Sequence, residues 1–224
     1  MPFDAIAKLG RSRKGIIRKD VLKDVPGIQT RQEVKDIVLD VIKDRRTVRE
    51  FQKTAIPDNV LIKILDAGRY APSAGNQQPW EFIVIKNSET KKMLCTACFN
   101  QEFIADPPVV VVVGMNVHVS SSKYHERGEK LYGIQAVSAA IQNMLLAAEA
   151  LGIGSCWVGS FSEQAVATIT QCPNYVRPAA IVLFGYPAED PPAPHRQPLI
   201  DIMHYEKFGE TYLTKELYGS KELF

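Results

Sequence analysis

Three guanidiniums fall within five residues, at Arg45, Arg46 and Arg49, with the Thr47 hydroxyl between them. Cations this close repel one another, and a multiply charged phosphate is the simplest compensation, because arginine forks match phosphate oxygens. Pairing with the neighbouring carboxylates of Asp44 and Glu50 is the alternative, and the segment alone does not decide between the two. A second polar constellation follows in Pro72-Ser73-Ala74-Gly75-Asn76-Gln77-Gln78-Pro79-Trp80. Its three consecutive carboxamides present donors and acceptors in a plane, which suits ribityl hydroxyls and the imide edge of a flavin. The same prolines, serine, glycine and asparagine also satisfy ordinary loop chemistry without a ligand.

Other chemistries find no support. No G-x-G-x-x-G follows a strand pattern, no G-x-x-x-x-G-K-[ST] occurs, and Gly152-Ile153-Gly154 is only a fragment of such loops. G-x-S-x-G is absent, and no serine, histidine and acid group together for acyl transfer. Cys95 and Cys98 have the C-x-x-C spacing of zinc and redox sites, but Cys156 and Cys172 do not repeat it. Reduced core thiols and no metal are therefore expected. His118, His125, His195 and His204 are scattered, and none forms H-E-x-x-H. With 27 basic and 25 acidic residues, the net charge of +2 gives no overall field toward nucleic acid or membrane.

The elements that must position these residues can be read from periodicity. Residues 1–29 are basic and weakly patterned and form an expected N-terminal arm ahead of one domain, 30–224. Thr30 and Glu33 fit a capping box, and Val34, Ile37, Val38, Val41 and Ile42 recur at helical spacing on a helix that ends before Arg45. A second helix is expected from Asp58 to near Pro72, a strand at Glu81–Lys86, a helix from Ser88, and a strand buried on both faces at Val109–Val113. Leu131–Leu151 is the longest helical pattern and too apolar to face water. Strands at Ser155–Val158 and Ala179–Phe184 flank a helix that Ser162 can cap. The class is α+β, close to α/β, with a central mixed sheet covered by helices. From Pro187 onward the prolines preclude regular structure, yet the stretch is apolar enough to wrap over another surface. The apolar run Pro107–Gly114 is far short of the roughly 20 residues that span a bilayer. Met1-Pro2-Phe3-Asp4 has no apolar signal core, so a cytoplasmic location is expected.

Together the segments resemble the nitroreductase family of FMN enzymes. Four motifs of that family occur here in order: Arg45–Arg49, Pro72–Trp80, Leu151–Gly159, and Arg196 before Pro198-Leu199. The likeness spans about residues 32–209 and leaves the basic arm outside it. It implies a homodimer with the long helix in the interface, FMN as cofactor, and NADH or NADPH as donor. Arg45, Thr47 and Arg196 would then bind the FMN phosphate, and Arg46 the phosphate or ribityl chain. Arg49 would lie at the pyrimidine edge, where a cation stabilises charge on the reduced ring. Asn76 and Gln78 would bond the ribityl chain or ring edge, and Pro72 and Ser73 would reach the partner subunit's cofactor. Trp157, Val158 and Gly159 would pass their backbone close to the ring, with Gly159 permitting the approach. Thr47 stands where the family usually has serine, and Val158 where some members have an acid. The substrate pocket is expected along Phe99–Phe103 and Ser120–Arg127. The implied reaction is ping-pong transfer to a nitroaromatic, quinone or flavin, with no catalytic side chain. Relatives of this fold also dehalogenate, fragment flavin or oxidise azolines, and a non-catalytic FMN-binding or nucleic-acid-binding role for a chain with a basic arm is the remaining alternative.

Overall fold

The computed structural model describes residues 31–210. The chain divides into two compact units, Met1–Pro191 and Pro192–Phe224. The basic arm, the Thr30 cap and the apolar tail residues Tyr212, Leu213, Leu217 and Tyr218 lie outside the described residues.

The first unit is built on four strands, β1 (Trp80–Ile85), β2 (Val109–Asn116), β3 (Gly154–Val158) and β4 (Val176–Gly185), in the spatial order β1-β2-β4-β3. All three pairings are antiparallel, so the expected mixed sheet has its one parallel pairing among the described residues in the isolated Thr47–Ser155 bridge. The continuous valine run follows from β2 being central. Val109, Val111 and Val113 enter one core with Ala180, Val182 and Phe184 of β4, while Val110 and Val112 enter another with Ile181 and Leu183. Successive side chains on a strand point to opposite faces, so a strand covered on both sides reads as unbroken hydrophobe.

Helices cover the two faces. On the first, α2 (Asp58–Arg69) contributes Leu61 and Ile64, and α5 (Gly133–Ala150) contributes Val137, Ile141, Met144 and Ala148. Asn143 Nδ2 donates to the Ala67 carbonyl (3.2 Å) and ties these helices together. On the second, α3 (Ser88–Ala97) and α6 (Glu163–Ile169) supply Leu94, Cys98 at the α3 end, and Val166. Ser162 caps α6 as expected, its hydroxyl accepting from the Ala165 amide. The cap of α3 is Asn87, which accepts from the Thr90 amide (3.0 Å).

One expected helix is largely exposed, and another forms where the sequence shows no helical pattern. The apolar positions of α1 (Arg31–Asp44) stay open among the described residues: Val38 is 56% exposed and Ile42 49%. Ser120–Arg127, expected to line a pocket, belongs to α4 (Val117–Arg127), which runs through a π turn at Gly128–Tyr132 into α5. This 34-residue run, Val117–Ala150, is by length and composition apolar enough to cross a membrane, but the α5 part packs its buried face on the sheet as a core helix does. The second unit, by itself, holds the short α7 (Leu199–Ile202) and a His204–Phe208 ring contact at 4.3 Å.

Candidate functional site

The arginine segment is held extended beside β3 because its apolar residues point inward. Val48 and Phe51 are buried in the second core, which turns the intervening Arg49 and Glu50 outward. The Val48 amide donates to the Ser155 carbonyl (2.9 Å), and Thr47 bridges Ser155 in parallel. Gly154 allows this approach, since a Cβ there would stand 3.1 Å from Val48 side-chain carbons. Farther on, Gln52 N donates to Tyr186 O and Ala188 N to Glu50 O, both at 2.9 Å, around the Phe51–Pro187 bridge. The next two amides turn to a side chain: Arg49 N (2.6 Å) and Glu50 N (3.1 Å) both donate to Glu189 Oε1.

The alternative of pairing with Asp44 and Glu50 is not what forms. Among the described residues, none of the guanidiniums of Arg45, Arg46 and Arg49 makes an ion pair with a carboxylate. Arg46 turns back on the end of α1, its NH1 donating to the carbonyls of Lys43 (2.6 Å) and Arg45 (3.3 Å). Arg49 lies over the Phe103 ring, 5.7 Å from its centroid. A cavity of about 150 Å3 beside the segment is lined by Arg46 together with Asp44, Glu149 and Glu189. Burial, reinforced by Asp44, raises the Glu149 carboxyl above its ordinary range despite the opposing charges of Arg45 and Arg46.

The Trp157–Gly159 turn stands at the same corner. Trp157 is 40% exposed, Val158 is buried, and a Cβ built on Gly159 would meet nothing within 4 Å. Beyond it, Gln101 Nε2 donates to the Ser160 carbonyl (3.2 Å) and Ser162 N to Ala97 O (2.9 Å). The Phe99–Phe103 segment therefore borders this corner through Gln101 and Phe103.

The amide loop sits elsewhere in the chain. It leads into β1 at the opposite edge of the sheet from β3, with β2 and β4 between, a span of roughly 14 Å at about 4.8 Å per strand. Ser73 Oγ accepts from Gln78 N (2.9 Å), while Gln77 Nε2 donates to Val119 O (2.8 Å) and Ser122 Oγ (2.6 Å), docking the loop on α4. Gly75 has φ +57°, and a Cβ would stand 2.9 Å from the Tyr124 hydroxyl. Gln77 is thus consumed internally, whereas Pro72, Asn76 and Gln78 are exposed. Within one chain, Pro72, Ser73, Asn76 and Gln78 do not meet the arginines. Arg196 is an exposed residue of the second unit, in irregular chain before α7.

All four cysteines are free thiols, Cys98 and Cys156 buried in the core and Cys95 and Cys172 half-buried. Burial, aided by Cys95, pushes the Cys98 thiol up to about 11, and burial also raises Cys95 and Cys156. No cluster of three or more histidine, cysteine or acidic residues suited to a metal occurs among the described residues. Sequence reasoning missed Glu189, which carries no signal beyond an acid within a proline-rich stretch.

The fold and the segments have clear relatives. A family model described as the nitroreductase family matches residues 42–100 and 93–186. A Methanothermobacter thermautotrophicus protein, provisionally named an NADH dehydrogenase/NAD(P)H nitroreductase, is 34% identical over 160 residues, covering 69% of this chain and 79% of the relative. An NADH dehydrogenase of Thermus thermophilus is 31% identical over 182 residues, covering 69% and 89%. The NADPH:FMN oxidoreductase of Vibrio harveyi, solved with NAD+, superposes with a TM-score of 0.71 over 82% of each chain at 22% identity, a likeness of fold. The chain belongs to the nitroreductase family.

Proposed function

We propose that the protein is a homodimeric FMN-dependent oxidoreductase that uses NADH or NADPH to reduce a small electron-poor acceptor, a nitroaromatic, quinone or free flavin, by a ping-pong mechanism. The observation that carries the reading is the corner where guanidiniums without a carboxylate partner lie beside the β3 turn, with open space before Gly159. These residues fit FMN: the cations compensate a phosphate dianion, and the bare glycine leaves room for a planar ring. When bound, the flavin supplies the redox chemistry, receiving two electrons and a proton from the nicotinamide and giving them to the acceptor.

The chain's part is position and electrostatics. Arg45 and Thr47 hold the phosphate, while Arg46 braces the segment against the end of α1. Arg49, set on Phe103, favours negative charge at the pyrimidine edge. The Trp157-Val158-Gly159 backbone lies against the ring. Pro72, Ser73, Asn76 and Gln78 come from the partner subunit, because the sheet separates them from their own chain's arginines. Anaerobic mixing of the FMN-loaded protein with NADH or NADPH and then a quinone tests this. Repeated bleaching and recovery of the flavin spectrum is expected. Failure to retain FMN, or its irreversible loss on turnover, overturns the reading.

A further inference from the structure

The ladder between residues 50–52 and 186–188 is an ordinary antiparallel pairing that stops one rung early. Gln52 N and Ala188 N find backbone carbonyls, and the register would next pair Glu50 N with the carbonyl of residue 188. Instead Glu189 Oε1 takes Glu50 N, in place of that carbonyl, and also Arg49 N, for which this ladder offers no acceptor. The consequence falls on Arg49. Its amide is fixed by Glu189, the preceding residue by Ser155, and its guanidinium by the Phe103 face. The charged acceptor ties two successive amides to one point, and the Arg49 bond, at 2.6 Å, is shorter than the 2.9 Å rungs beside it. The clamp lies where the chain changes from buried Phe51 to the outward arginine.

We propose that Glu189 is a positioning residue for the cofactor segment: by clamping the backbone amides of Arg49 and Glu50 it fixes the orientation in which Arg45, Thr47 and Arg49 receive the dianionic flavin. The inference rests on the FMN reading above, and it assigns to a carboxylate a part in anion binding that its charge alone would oppose. Glutamine keeps an oxygen able to accept both amides without the charge, whereas alanine removes the acceptor.

The test uses the full chain as wild type, Glu189→Gln and Glu189→Ala, with amide hydrogen exchange of the FMN-free protein and FMN titration read side by side. Glu189→Ala is expected to speed exchange at Arg49 and Glu50 and to weaken FMN about tenfold, the scale of one lost charge-assisted bond. Glu189→Gln is expected to restore most of the protection and most of the affinity. Wild-type affinity and protection in Glu189→Ala overturns the clamp, as does a Glu189→Gln variant as impaired as alanine. If Glu189→Ala does not fold, the glutamine variant decides: loss of protection at both amides with the fold intact contradicts the proposal. A wild-type chain that binds no FMN sinks the functional reading, while the exchange comparison still decides whether Glu189 is the clamp.

Discussion

At the scale of single residues, affinity and stability should separate. Arg45 makes no ion pair among the described residues, so Arg45→Ala removes a ligand contact and little else. A charge-assisted bond is worth about 1.5–3 kcal/mol, so FMN affinity should fall roughly 10- to 150-fold with an unchanged circular dichroism melt. Gly159→Ala should behave alike, since its Cβ meets nothing within 4 Å among the described residues: stability is kept and FMN binding is weakened. Titration of both variants against the parent checks this. Cys98 makes the opposite kind of contribution. Its folded-state pKa is raised from 9.0 to about 11, so the stability of the buried neutral thiol is full below pH 9 and declines as pH rises toward 11. Melts across that window should fall less steeply for Cys98→Ala than for the parent. The arginines and carboxamides were legible in the sequence because their chemistry is written in residue type and spacing. Glu189 was not, because its role depends on where a ladder ends.

At the scale of elements, most of the fold was legible where burial writes a period into the chain. Val109–Val113 announced a doubly covered strand, and the α5 pattern a core helix, because each residue's neighbours are set by one face. The α4 helix escaped for a physical reason. His118-Val119-Ser120-Ser121-Ser122-Lys123 is rich in poor helix formers and has little apolar stripe, and His125 sits at φ 49°, ψ −133° inside it. One signal was available: Asn116 Oδ1 accepts from Val119 N (3.1 Å), an N-cap. The junction of α4 with α5 is sterically tight. A Cβ on Gly128 would stand 1.9 Å from the Ser120 carbonyl oxygen, which is backbone and has no rotamer to yield. Gly128→Ala should therefore cost about 3 kcal/mol and lower the melting temperature by roughly 6–12 °C. A melt within 2 °C of the parent would contradict that packing.

At the scale of the whole molecule, two features bear on the proposed dimer. The apolar α1 positions recur at helical spacing, yet among the described residues Val38 and Ile42 are left exposed. The resemblance implies a site built from two chains, and within one chain the sheet holds the amide loop and the arginine segment at opposite edges. Single-chain periodicity reports that a face is apolar without saying which chain buries it. If α1 packs in the dimer, replacing Val38 and Ile42 together with glutamate should shift sedimentation from dimer to monomer and lose bound FMN in step. The most direct measurement is the visible spectrum of the purified chain after incubation with excess FMN and removal of the unbound fraction. One oxidised flavin per chain is predicted, and a protein that stays colourless would contradict the account.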